Sequence, residues 1–200
     1  MYSDNTLYQF VPGLVLGFHG TKKDIVKQVV SGEGHLKQSE NEYDWLGPGI
    51  YFWEYGPQRA YEFALEKAKR DGTNPDEIAV VGAVIDPGHC FNLLEASALA
   101  ELQGAFEVLQ SIHGENLPQN KGGDDLLMRY LDCAVIQMAH ELRDFEPPQE
   151  PYDTVRGAFW EGDDLYPNAG FKHKNHVQLC VRSIDCIKGY FLPIVQEKIE

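Results

Sequence analysis

No run of apolar residues in this 200-residue sequence approaches the roughly 20 that a bilayer-spanning helix needs, so a membrane-embedded chain is not expected. Basic residues are scarce as well: 17 Lys and Arg stand against 31 Asp and Glu, a formal net charge of −14. Such a chain repels polyanions at long range, which disfavours nonspecific nucleic-acid binding. It leaves room for a small anion held by backbone amides and a few local cations. The four cysteines, Cys90, Cys133, Cys180 and Cys186, show no Cys-x-x-Cys spacing and read as reduced thiols, with a Cys180–Cys186 disulfide disfavoured. The only close histidine pair, in "HKNH" (173–176), has no cysteine beside it, so no metal site is expected. The amino-terminal "MYSDNTLYQFVPG" lacks a basic start and an unbroken apolar stretch; nothing in it directs export, and a cytoplasmic location is expected. Internal repeats and low-complexity tracts are missing too, so residues 1–200 read as a single domain.

What is present is a hydrophobic fraction of 43%, enough for a sizeable core, arranged in recognisable periods. "LVLGFHG" (14–20) reads as a strand ended by glycine, and "TKKDIVKQVVSG" (21–32) as a helix with Thr21 as N-cap and Gly32 as stop. "PQRAYEFALEKAKRDG" (57–72) has Pro57 in a first turn, helical spacing through Ala60, Phe63, Ala64, Lys67 and Ala68, and a closing Gly72. The Val- and Ile-rich "EIAVVGAVIDPG" (77–88) predicts a buried strand, which with "GIYFWE" gives the order β-α-β-α-β. Residues 93–145 then carry two amphipathic helices, "LLEASALAELQGAFEVLQSIHG" and "DDLLMRYLDCAVIQMAHELRDF". Strands resume in "TVRGAFWE", "HVQLCVRS" and "CIKGYFLP", so the class is α+β with a helical insertion.

Two short stretches carry possible chemistry. "GFHGT" sets His19 beside Gly20, whose missing side chain leaves backbone groups open, and Thr21, which offers a hydroxyl. "WLGPGIYFWE" (45–54) sets Gly47 and Gly49 before Ile50, Tyr51, Phe52 and Trp53. Strand alternation would send Ile50 and Phe52 to the core and Tyr51 the other way. Taken alone, each is more readily structural than a site, the first a strand-end histidine and the second a turn entering a core strand. A Rossmann fold is disfavoured, since no G-x-G-x-x-G follows the first strand.

In that order and spacing, strand-His-Gly-Thr, helix, Gly-x-Gly-Ile-Tyr-Phe and a helix starting "QRAYEFA" resemble the NAD-binding core of the ADP-ribosyltransferases of the diphtheria-toxin and poly(ADP-ribose) polymerase class. The resemblance spans roughly residues 14 to 90 and 154 to 193 and leaves out the insertion. It implies two packed, mainly antiparallel sheets with flanking helices, and NAD as a substrate. The class carries a His-Tyr-Glu triad; here the positions are His19, Tyr51 and Gln178, the last a departure in "NHVQLCVRSIDCI". Gly20 would bind the nicotinamide amide through its backbone, His19 a ribose 2′-hydroxyl, and Tyr51 the nicotinamide face. Tyr61, with Phe63 next, would close the stack; Thr21 and Gly49 would line the site.

The implied activity is mono-ADP-ribosyl transfer to a protein or nucleic-acid acceptor. A glutamine in the glutamate position puts polymer elongation in doubt and equally suits a module that binds NAD, ADP-ribose or a protein partner without turnover. Glu161, Asp163 and Asp164, on the loop before the Gln178 strand, are carboxylates that could assist, against the plainer reading of a solvated acidic loop; Glu54 is a weaker candidate. Lys172, Lys174 and Arg182 are expected to cluster near the acceptor side. The sister class built on Arg, Ser and Glu/Gln-x-Glu fits worse, because no arginine ends the first strand.

Overall fold

The computed structural model describes residues 13–145 and 148–194. The amino-terminal stretch read above for export signals lies outside them except for Gly13. Chain order is β1 (Val15–Lys22), α1 (Lys23–Val30), β2 (Ile50–Glu54), α2 (Pro57–Asp71), β3 (Ile78–Ile85), β4 (Cys90–Asn92), α3 (Ala96–His113), α4 (Tyr130–Asp144), β5 (Thr154–Phe159), β6 (His176–Val181) and β7 (Ile187–Phe191). The α+β class expected from the sequence is what forms. No helix among the described residues is long and apolar enough to cross a membrane.

The strands make one seven-stranded sheet in the order β4-β5-β6-β2-β1-β3-β7, with only the β4–β5 pair parallel. This differs from the two packed sheets the resemblance implies. The join at the centre is narrow, however: β1 meets β2 only through Gly17↔Glu54 and Phe18↔Trp53, whereas β1 meets β3 along all eight of its residues. Two half-sheets, β4-β5-β6-β2 and β1-β3-β7, are thus stitched by a two-residue ladder.

Strand alternation sorts the core into two faces. On one, Ile50, Phe52, Val81, Ile85, Leu179 and Val181 pack beneath Val26 and Val29 of α1. On the other, Phe18 and Trp53 meet Ala60 of α2, and farther along Phe91, Val155 and Cys180 meet Ala105, Leu109, Val135 and Ile136 of α3 and α4. α2 can lie close because its inward positions are Ala60, Ala64 and Ala68, one per turn. It starts on Pro57 and ends on Gly72 in a left-handed conformation (φ 68°), as its sequence predicts.

Three boundaries differ from expectation. β1 runs through Lys22, so Gly20 does not end it, and Thr21 is a strand residue opposite Ala79 rather than the N-cap of α1. β3 is long enough to pair with every residue of β1, and a β-branched threonine suits that ladder as well as it would suit a cap. α4 begins at Tyr130, because residues 121 and 128 bridge to each other and Leu126 takes φ 49°, which stops the helix from reaching back into "DDLLM". β4 was not expected at all; three residues, with a parallel partner from beyond the insertion, leave little pattern to read. All four cysteines are free and buried.

Candidate functional site

The narrow seam between β1 and β2 sets the geometry. The Leu16 carbonyl accepts a hydrogen bond from the Tyr55 amide at 2.9 Å, so Leu16 turns its peptide groups toward β2. Alternation turns those of Phe18 and Gly20 the same way. Phe18 finds Trp53, but the pairing ends there. The next carbonyl on β2, that of Tyr51, is taken by the His19 ring, whose Nδ1–H donates to it at 2.7 Å. A side chain thus replaces a rung of the ladder, and the Gly20 N–H and C=O face the opening beyond it.

Because a carbonyl only accepts, His19 carries its proton on Nδ1 and turns a lone pair out on Nε2. Burial, helped by the Lys67 charge, lowers its pKa below the usual histidine value although the bond to Tyr51 works the other way, so the neutral tautomer persists. Gly20 is also required sterically. A Cβ at that position would collide with the Ala60 carbonyl oxygen and with Ala64 Cβ on α2.

Tyr51 is held by its hydroxyl, which donates to the Gly47 carbonyl at 2.7 Å and accepts from the Leu46 amide at 2.8 Å. The glycine turn is therefore clamped by the strand that follows it. Gly47 adopts φ 77°, and a Cβ on Gly49 would lie 2.5 Å from Cys180 Sγ, so these glycines serve the turn and the close approach of β6. Ile50 and Phe52 are buried on the α1 face and Tyr51 is half-buried on the other, as alternation predicts.

Gln178 is buried on β6 opposite Trp53. Its Nε2 donates to His176 Nε2 at 3.1 Å, and His176 Nδ1–H donates to the Lys174 carbonyl at 2.6 Å. The imidazole must be neutral for both bonds to exist. Burial is the main cause of its lowered pKa, with Arg59 acting the same way and Glu161 and the Lys174 carbonyl opposing. His176 lies against Phe159 (5.6 Å between ring centres) and Trp45 (6.3 Å), which fix the ring plane. The chain Lys174–His176–Gln178 sets the amide so that Oε1 is available as an acceptor.

His19 and Tyr51 are thus in direct contact through the Tyr51 carbonyl, and Gln178 shares Tyr51's face of the sheet. The His19 ring packs on Phe52, on the α1 face, so His19 and Gln178 lie on opposite faces of the sheet. Of the two helix aromatics, which are equally exposed, Phe63 lies 4.9 Å from Trp53, while Tyr61 makes no comparable ring contact among the described residues; Thr21 stays in the β1–β3 ladder.

The supporting carboxylates are not where a solvated loop would leave them. Glu161 is only 7% exposed and its oxygens take the Arg59 Nη2 at 2.9 and 3.0 Å. Glu54 is held by Arg156 at 2.6 and 3.0 Å. Asp163 and Asp164 remain exposed. The basic trio does not form a patch: Lys172 reaches Gly162 O and Asp125, Lys174 reaches Glu66, and Arg182 turns to the Tyr152 carbonyl and His140. Among the described residues no group of three or more His, Cys, Asp or Glu side chains could hold a metal ion. From the sequence Arg59 carries no functional expectation, Trp53 only a place in the aromatic run of β2 and His176 only a place in the histidine pair of "HKNH"; the first sits in a helix-start pattern and the others in strand patterns, where packing explains them equally well.

No family model, no curated protein and no solved structure matches this chain. The functional reading therefore rests on the residues and the geometry above.

Proposed function

We propose that this protein binds NAD at the opening between β1 and β2 and transfers ADP-ribose, one unit at a time, to a macromolecular acceptor. The observation that supports this best is the ladder that stops after Phe18↔Trp53, leaving the Gly20 peptide facing the opening and His19 held by Tyr51 with Nε2 turned out. A carboxamide needs one donor and one acceptor from its site, which one peptide supplies. Nε2 accepts from a ribose hydroxyl, and Gln178 Oε1 accepts from another.

In the reaction the bond from ribose C1′ to the nicotinamide nitrogen breaks, its electron pair leaves on nicotinamide, and positive charge develops on the ribose. The acceptor's lone pair forms the new bond to C1′ and its proton passes to solvent. Gln178 orients a hydroxyl and offers its carbonyl dipole to the developing cation, but it takes up no proton. Purified protein incubated with labelled NAD and a cell lysate should release nicotinamide and label an acceptor, with His19→Ala and Tyr51→Ala losing both. No label and no nicotinamide from a folded wild-type protein would overturn the transferase reading. Nuclease and protease treatment of the product separates nucleic-acid from protein acceptors.

One observation favours a second reading, a module that binds NAD or ADP-ribose without turnover. Glu54 and Glu161, the carboxylates nearest in role to the missing glutamate, are both committed to arginines. Calorimetric NAD binding without cleavage, together with cleavage gained by Gln178→Glu, would select it.

A further inference from the structure

Beside Gln178 lies a group of charged and polar donors that the folded chain does not use. Arg59 is 8% exposed and Trp53 3%. Arg59 Nε and Nη1 and Trp53 Nε1 are buried with no hydrogen-bond partner among the described residues, and the Glu161 carboxylate occupies Nη2 alone. The residues adjoin: both side chains pack around Gly56 and Phe63, Trp53 is the cross-strand neighbour of Gln178, and the charges of Arg59 and Glu161 are both felt at His176. Counting hydrogens, three guanidinium N–H groups and one indole N–H await acceptors.

A buried guanidinium with most of its donors unmet is costly, and such groups are normally completed by a ligand or by water. A ligand that satisfies them must be anionic, to pair with Arg59, and must offer several acceptor oxygens in a small volume. A phosphoryl group has this chemistry. Glu161 covers the site from the start of a loop whose residues 163–168 are exposed and whose ties include Gly162 N to Asp125, Lys172 to Gly162 O, Lys174 to Glu66 and the Lys174 amide to the Glu161 carbonyl.

We propose that Arg59 and Trp53 form a phosphoryl-binding site and that Glu161 occupies it in the free protein as an internal stand-in, displaced when a phosphoryl oxyanion binds. If the group belongs to the NAD of the function proposed above, this is where its pyrophosphate docks, and loading the site releases the Glu161 loop next to Gln178. The site itself needs only the phosphoryl chemistry, so it is tested with inorganic pyrophosphate, independently of any transfer reaction.

The measurement is the indole N–H resonance of Trp53 in the full chain, identified by its loss in Trp53→Phe, during titration with pyrophosphate, ADP-ribose and nicotinamide. Pyrophosphate should move the resonance in wild type. In Glu161→Gln, where the competing charge is gone, it should do so at about tenfold lower concentration and raise Tm more than in wild type. Arg59→Gln should abolish the shift. A response to ADP-ribose but not nicotinamide identifies the dinucleotide as the source of the phosphoryl group; a response to inorganic pyrophosphate alone supports the site and removes it from NAD binding. The proposal is overturned if Trp53 is unmoved by pyrophosphate and by ADP-ribose in both wild type and Glu161→Gln, in which case water completes these donors, or if Arg59→Gln responds as wild type does. The Glu161→Gln comparison retains Arg59, so the test survives if Arg59→Gln does not fold.

Discussion

The Gln178 amide is oriented by a neutral histidine, a partner that a glutamate would treat differently. With glutamine, His176 accepts from Nε2 and stays unprotonated. A carboxylate in the same place has no hydrogen to give, and its charge lies within hydrogen-bond distance of the imidazole, so Gln178→Glu favours the imidazolium. The variant is predicted to raise the pH at which His176 titrates, read from its ring proton shifts. Identical His176 titration in the two proteins would show that the bond to Gln178 is not made in solution. For the transfer reaction proposed above the same coupling matters, because the Gln178→Glu variant would carry an ion pair where wild type carries a neutral pair. Its pH profile should therefore report His176.

Among the elements, the helical insertion shows how a chain caps a helix from a distance. The N-cap residue of α4, Arg129, makes no side-chain cap. Asn120, on the connection from α3, takes its place: its Oδ1 accepts from the Leu131 amide at 2.8 Å and the Asp132 amide at 3.3 Å, and its Nδ2 donates to the Asp132 carboxylate at 2.9 Å. Asn120→Ala is predicted to destabilise the protein by about 1 kcal/mol, as other cap removals do, with faster hydrogen exchange at Leu131 and Asp132. Unchanged exchange at those two amides would sink the assignment.

This cap also marks the limit of what the sequence reveals about elements. The alternation of order from β1 to β3, the Pro57 start and Gly72 stop of α2, and the facing of Ile50, Tyr51 and Phe52 were legible because each depends on residues close together in the chain. The late start of α4, the extension of β1 through Thr21 and the burial of Glu161 were not. The strand depends on all of β3 and the carboxylate on Arg59, 102 positions away, while the helix start depends on the turn that the 121–128 bridge and the Leu126 backbone impose just before it, which no residue pattern marks. The acidic loop looks solvated because residues 163–168 are exposed, while Glu161, which begins it, is buried.

Across the whole molecule, folding holds three separated histidines neutral: His19 in the β1–β2 opening, His176 on β6 and His140 in α4, each with a pKa lowered mainly by burial. His140 is pushed down to about 3, because the Arg182 and Arg143 charges add to its burial, and its Nδ1 accepts from Arg182. In the unfolded chain it titrates near the ordinary value of about 6.5. A folded-state value below the unfolded one means that the unfolded chain binds the proton first. The stability associated with neutral His140 is therefore fully present above about pH 6.5 and is lost progressively as the pH falls toward 3. At pH 5 the gap corresponds to about 2 kcal/mol. His140→Asn keeps an acceptor for Arg182 and cannot take up the proton, and every other group is common to the two proteins. The difference between wild type and variant thus isolates one residue. Urea unfolding at pH 7 and pH 5 should show wild type losing about 2 kcal/mol more than His140→Asn over that interval. Equal losses in the two proteins would mean that His140 is protonated, or reached by water, in the folded state.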